Sequence, residues 1–407
     1  SSQTFLEAGG YRAFYSVDIP RRGSLKFKIP SVGAELGLLD SQGNLLDKLS
    51  FGLQIEGSSS GRLPNGIGEF QQFSEQATPG QKNVIQESPS IMINEVMARN
   101  QTVIYPGMAG TPDWIELLNK TDGFIDLSGM RLRLDGADEW VLPDGIYLEG
   151  HDHFIVWFDG DDLIRRGEFS GVVVDRSLPA SGAGIELLTA EGRLLDQLRF
   201  GIQVVDQTIG RKGNQWQLLV EGTPGKVNGN AVPLGLPDDL RINEWSGGGE
   251  GDDWLELYHR GNQPVDISGL YLTDDPSLAG KTKHAIANLS FVGPKSWVVF
   301  RADGEPQRGS DHLNFRLSSK GETLRIYAES LNVIDEIVVA DSLVQGGSSG
   351  RLPDGEDRLV SFDTVETSKG LPNHTQIEGL QINELLLTPR TPSGRAIEVF
   401  NFGASPV

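Results

Sequence analysis

Apolar residues fall in short clusters separated by turn residues, and several clusters alternate with acids. "DWIELLN" at 113–119 and "DWLELYH" at 253–259 each place a carboxylate between aliphatic neighbours, the period of two expected of a strand with one buried face. Trp114 and Leu117 do not share a face under strict alternation, so a bulge, or a strand covered on both sides, is expected there. In "IELLTAEGRLLDQLRF" at 185–200 two apolar runs flank Ala190, Glu191 and Gly192. That pattern predicts a hairpin whose glycine takes the positive φ of the turn, and "DSQGN" at 40–44 repeats it. No segment of twelve residues carries a convincing helical period. The pattern predicts an all-β chain of immunoglobulin-like β-sandwiches, with barrels as the second architecture.

The same clusters return in one order about 140 residues apart. An opening phrase reads "INEVM" at 93–97, "INEWS" at 242–246 and "INELL" at 382–386, each ahead of a strand such as "WIEL", "WLEL" or "AIEVF". A closing phrase spans 33–54 and 182–203, with a looser copy at 320–341. A tail phrase follows: "GRLPNG" at 61–66, "GRKGNQ" at 210–215, "GRLPDG" at 350–355, then "TPGQKN", "TPGKVN" and "SKGLPN". A period this long means tandem cored units rather than solenoid turns. Complete copies are expected at 91–229 and 240–374, with the later part of a copy at 1–86 and the opening part of another at 380–407. The segments "QESPS" at 86–90 and "NGNAVPLGLPDD" at 228–239 read as short linkers stiffened by proline.

Taken together, these phrases resemble the lamin tail domain, in the form found in tandem in large secreted or surface proteins of bacteria. The resemblance runs along essentially the whole chain and implies an immunoglobulin-like sandwich. The matching positions are Ile93, Asn94, Glu95, Trp114, Glu116, Ser128 and Gly129, repeated as Ile242, Asn243, Glu244, Trp254, Glu256, Ser268 and Gly269. These are structural positions, so the resemblance carries over no catalytic residue. It implies an accessory or structural role outside the cell or at its surface.

Charge narrows the partners. With 35 Lys and Arg against 56 Asp and Glu, the formal net charge is −21, a field that repels phosphate backbones and argues against nucleic acid. There is no cysteine, which removes disulfides and thiol chemistry. No apolar stretch reaches the roughly 20 residues of a membrane helix, so no membrane insertion is expected within this segment. Any signal peptide or anchor is expected outside it.

Candidate chemistry is sparse. No GxSxG elbow, P-loop, dinucleotide fingerprint or HExxH motif is present, and no catalytic residue, cofactor-binding residue or cofactor is assigned. "HDH" at 151–153 is the one histidine cluster, a zinc pattern if both imidazoles share a face. Asp159, Asp161 and Asp162 in "WFDGDDLIRRG" offer the oxygen ligands calcium takes; a solvated turn is the simpler reading, and the next copy keeps only Asp303 and Glu305. Glu95 and Glu244 lie within apolar strands and are expected to accept backbone amides or to pair with Arg211 and Arg351. Trp140 and Trp216 are candidate exposed aromatics for binding carbohydrate or protein.

The expected function is therefore non-catalytic: a stalk, adhesin or filament subunit, acidic and extracellular, with protein partners. Head-to-tail self-association is one form of this, the opening strands at 380–407 completing the closing strands at 1–86 of another copy. The alternative is an accessory targeting or binding module of a larger secreted hydrolase.

Overall fold

The computed structural model describes the chain except residues 1–5, 7–8, 17–23, 26, 53, 55–57, 64, 68, 75–76, 82, 84–89, 107–109, 159–170, 248–252, 276, 278–279, 319, 340–345, 376–378, 387–394 and 404–407. Among the described residues there is no α-helix; two single-turn 3₁₀ segments, Pro237–Asp239 and Pro306–Arg308, interrupt an otherwise all-β chain.

Two sheets face each other across the first core. One runs, edge to edge, Val172–Val174, His153–Phe158, Asp113–Asn119, Ile91–Met97, Ile209–Lys212 and Gln215–Leu218; the other runs Leu194–Phe200, Ala183–Leu188, Arg131–Leu134 and Asp138–Val141. Ile93, Ile115, Leu117, Leu132, Ile185, Leu187 and Phe200 fill the space between them. The second sandwich repeats the plan. Its five-stranded sheet runs Trp297–Arg301, Trp254–His259, Leu240–Ser246, Ser348–Arg351 and Leu359–Phe362, and its four-stranded sheet His284–Ala285, Tyr271–Thr273, Glu322–Tyr327 and Val333–Val339.

The misfit of Trp114 and Leu117 has two causes. Register slips between Ile93 and Glu95, so Asn94 is an extra residue opposite the Leu117–Glu116 step. The outer face of the strand is also covered: Trp114 packs with Met97, Tyr105, Ile155 and Trp157 in a small cluster of its own, its ring edge-on to Tyr105 at 5.8 Å. The same slip recurs at Ile242/Glu244 and Ile382/Glu384, which makes the asparagine of every "INE" a bulge residue. Both predicted turns form, with Gly192 at φ 86° and Gly43 at φ 88°. In the looser copy Leu331 takes the left-handed turn position, at φ 62°.

Residues 228–239 do not behave as a free linker. Ala231 bridges Leu219, the Val232 amide donates to Leu218 O, and the Gly235 amide donates to Pro264 O. The two sandwiches also interlock. Ile202 enters the second core and Phe291 the first, with the Phe291 amide donating to Ile202 O at 2.8 Å and the Gln203 side chain to Leu289 O at 2.7 Å. A Cβ on Gly201 would lie 2.0 Å from Ser290 Oγ, so only glycine permits this approach.

Candidate functional site

The bulge turns Asn94 toward Glu116, whose Oε1 accepts its amide at 2.7 Å while Oε2 accepts the Gly225 amide at 2.6 Å. Glu95 lies beside it, accepting the Thr208 hydroxyl at 2.5 Å, the Thr223 hydroxyl at 2.7 Å and the Thr223 amide at 3.1 Å. Both carboxylates are fully sealed, each with 0% exposure. In the second sandwich Asn243 and the Gly370 amide hold Glu256 at 3.0 and 2.6 Å, and Ser348 and Ser368 hold Glu244. Burial pushes Glu116 and Glu256 each up to about 8.

The expected arginine partnership is corrected by this geometry. Arg211 pairs with Asp196 at 3.0 Å and donates to Ile93 O at 2.8 Å; Arg351 does the same with Asp335 and Ile242 O at 3.0 and 2.8 Å. The same aspartates accept the Ile93 and Ile242 amides, each at 2.8 Å. Each Asp–Arg pair thus clamps the backbone of the opening strand just before its bulge, satisfying two main-chain groups that the slipped ladder leaves over. Sequence reasoning singled out the acids of the opening strands and missed Asp196 and Asp335. Their signal was the aspartate of "LLDQL", which recurs as "LLDKL" and "VIDEI" at one position of the closing phrase.

The flanking segments carry the two halves of this frame. On one side Arg62 pairs with Asp47 at 3.2 Å, Asn83 donates to Arg62 O at 3.1 Å, and Thr78 donates to Asn83 at 3.1 Å. On the other, in the hairpin of Leu380–Leu386 and Ala396–Asn401, Asn383 donates to Glu398, as Asn94 does to Glu116.

Other predicted positions are dispersed. Asp159, Asp161 and Asp162 lie outside the described residues. Asp303 receives His312 at 2.6 Å and Arg308 at 3.1 Å, which uses it in a loop. His151 sits in a left-handed turn at φ 62° against Asp122, whereas His153 begins the next strand, so strand alternation does not relate the two imidazoles. Both nevertheless line one cleft of about 590 Å³ beside Asn94 and Asn228, with Lys120 and Lys212 at its edge. Trp140 and Trp216 are only half-exposed. The first packs edge-on against Phe158 at 5.6 Å, and the second lies under the Arg211 guanidinium at 4.8 Å.

Residues 85–201 match the family model of the Lamin Tail Domain. Over those residues the chain is similar to the lamin tail domain. The first sandwich supplies the domain's immunoglobulin-like fold, and the Asn–Glu bulge and closing hairpin lie within the matched residues, whereas Arg211 and Asn228 fall beyond them. No curated protein matches the chain. Among solved structures, the crystal structure of Amycolatopsis orientalis exo-chitosanase CsxA is similar at 12% identity and a TM-score of 0.15, over 56% of this chain. The chain spans 25% of that structure's length, and a similarity this shallow carries no argument. No helix among the described residues is long and apolar enough to cross a membrane.

Proposed function

We propose that the chain is a non-catalytic structural and interaction protein of the cell exterior, in which tandem lamin-tail-like units act as a stalk, adhesin or filament subunit. The observation that carries this reading is the fate of the recurrent acids. Glu95, Glu116, Glu244 and Glu256 are closed off from solvent and bonded to amides and hydroxyls of their own unit, so their repetition follows from a repeated architectural duty. The interlock at Ile202 and Phe291 adds to it, because a spacer needs junctions that hold their angle.

The test is direct. The chain is assayed against polysaccharide, phosphate-ester and peptide substrates beside its Glu116→Gln variant; no turnover is expected from either. Turnover abolished by Glu116→Gln would overturn the reading.

The matching half-frames at 34–83 and 380–401 favour a finer form of it, in which copies associate head to tail. The Asn383–Glu398 hairpin of one copy takes, on the Asp47–Arg62–Asn83 half of the next, the place that Ile91–Asn119 takes on its own closing half. Sedimentation of the chain with and without 380–407 decides this: association is expected to vanish on deletion, and an unchanged mass sinks it. The cleft on the first sandwich supports a second reading, an accessory binding module of a larger secreted hydrolase.

A further inference from the structure

The bulge, the sealed acids and the Asp–Arg clamp recur in both sandwiches, but the turn that follows the clamp arginine differs. In the second, the hairpin after Arg351 is long: the Leu352 amide closes on Arg358 O, leaving Pro353, Asp354, Gly355, Glu356 and Asp357 as the turn. That turn folds back and inserts Asp354 against the bulge. Its Oδ1 accepts Asn243 Nδ2 at 2.7 Å, the Asn373 amide at 3.1 Å and Trp297 Nε1 at 3.3 Å, while the Gly355 amide donates to Asn243 Oδ1 at 2.9 Å. Residues 34–83 use the same device with an amide: Asn65 Oδ1 accepts the Asn83 amide at 2.8 Å.

In the first sandwich Lys212 pairs directly with Gln215, and only Gly213 and Asn214 remain for the turn. Among the described residues no carboxylate takes the place of Asp354; Asn228 Oδ1 there accepts the second hydrogen of Asn94 Nδ2 at 2.9 Å, and the cleft of about 590 Å³ opens beside this amide pair, a volume in the range of ligand pockets. The groups that hold Asp354 have counterparts on its wall. Asn94 stands for Asn243 at the bulge, Asn228 for Asn373, and His153, paired across the ladder with Leu118, for Trp297, paired with Tyr258. Burial holds His153 below its ordinary range, so near pH 7 it is a neutral ring able to donate one N–H as the indole does. Lys120 and Lys212 are exposed at the rim, a cationic edge on a chain of net charge −21.

We propose that this cleft is a receptor site for a carboxylate side chain presented on a turn of a partner protein, an Asp of the Pro-Asp-Gly kind. The chain's own second sandwich is the template: a peptide turn delivers the acid there, with Gly355 at φ 72° allowing the reversal. The proposal deepens the reading of the chain as an interaction protein and rests on it. An enzymatic activity elsewhere in the chain would leave its test unchanged, so the two fail separately.

The test is calorimetry of the full chain with a cyclic peptide of sequence RLPDGEDR. One saturable site per chain is expected, with binding at least tenfold weaker for the peptide carrying Ala in place of Asp. Replacing Gly213–Asn214 of the chain with Pro-Asp-Gly-Glu-Asp supplies the plug in cis. This variant is expected to melt no lower than the parent and to bind no peptide, and Lys120→Ala with Lys212→Ala is expected to weaken binding about threefold to tenfold, more at low salt. Absence of saturable binding, equal binding by the plugged variant, or binding of an oligogalacturonate but not of the peptide would each overturn the proposal.

Discussion

The two sandwiches share an Asn bulge, a sealed Glu pair and an Asp–Arg clamp, yet one ends in a two-residue turn and an open cleft while the other ends in a five-residue turn that closes the same place with Asp354. The difference teaches which parts can vary: the frame depends on long-range partners within each unit, while the cleft opens where the turn after the clamp arginine is short. Surface loops tolerate such changes because lengthening them costs little closure entropy.

The strongest way to break the comparison is at the shared clamp. Asp335→Ala leaves Arg351, whose side chain is 6% exposed, with only the solvent-exposed Asp357 carboxylate at 3.4 Å as its counter-charge and removes the acceptor of the Ile242 amide. A loss of about 3–5 kcal/mol is expected for such a change. Asp196→Ala is expected to lose somewhat less, since Arg211 is 16% exposed. Urea unfolding of both variants checks the order.

Next in size is the plug. Asp354→Ala deprives Asn243, the Asn373 amide and the Trp297 indole of their acceptor, for an expected cost of about 1–3 kcal/mol. Added formate or acetate is expected to restore part of it, read as a rise in melting temperature larger than that of the parent chain.

Glu116 and Glu256 give both sandwiches the same pH response. Their folded pKa of about 8 lies above the ordinary 4.5, so the folded state holds the extra proton between those limits and its stability falls as pH rises through that window, on the order of 1 kcal/mol per pH unit per group. Below 4.5 both states are protonated and the slope from these groups ends. Glu116→Gln and Glu256→Gln together are expected to flatten the melting-temperature profile from pH 5 to 8. A profile equally steep in the double variant would remove these groups as its origin.

The smallest effect sharpens the comparison of hairpins. Leu331 occupies the left-handed position that Gly192 fills in the other copy. Leu331→Gly relieves about 1–2 kcal/mol of backbone strain against an entropy cost of about 0.5–1 kcal/mol. A net gain between zero and about 1.5 kcal/mol is expected, a rise of at most a few degrees in melting temperature.

The all-β character was legible because strand alternation and turn glycines are local signals, as the hairpin around Gly192 illustrates. The burial of Glu95 was legible too, from its place inside an apolar run. Its partners were not: Thr223 is 128 positions away, and Asp196 is 103 positions from the Ile93 amide it accepts, distances over which periodicity says nothing. The cleft was written in the unequal lengths of "GRKGNQWQL" and "GRLPDGEDRLV", but its meaning needed the bulge asparagines in place. Residues 228–239 misled for a related reason. Proline and glycine reported the absence of strand geometry there, while the pins at Ala231, Val232 and Gly235 come from backbone groups that composition does not record.

Ile202 and Phe291 each lodge in the other unit's interior, and this fixes how the molecule can be divided. A cut between residues 229 and 240 severs the connecting peptide but leaves two greasy plugs seated in their sockets, so the pieces stay joined after proteolysis. Either half produced by itself lacks one plug and bares another, and needs a polar replacement at the bared residue together with a filled socket before it will serve as a stand-alone reagent.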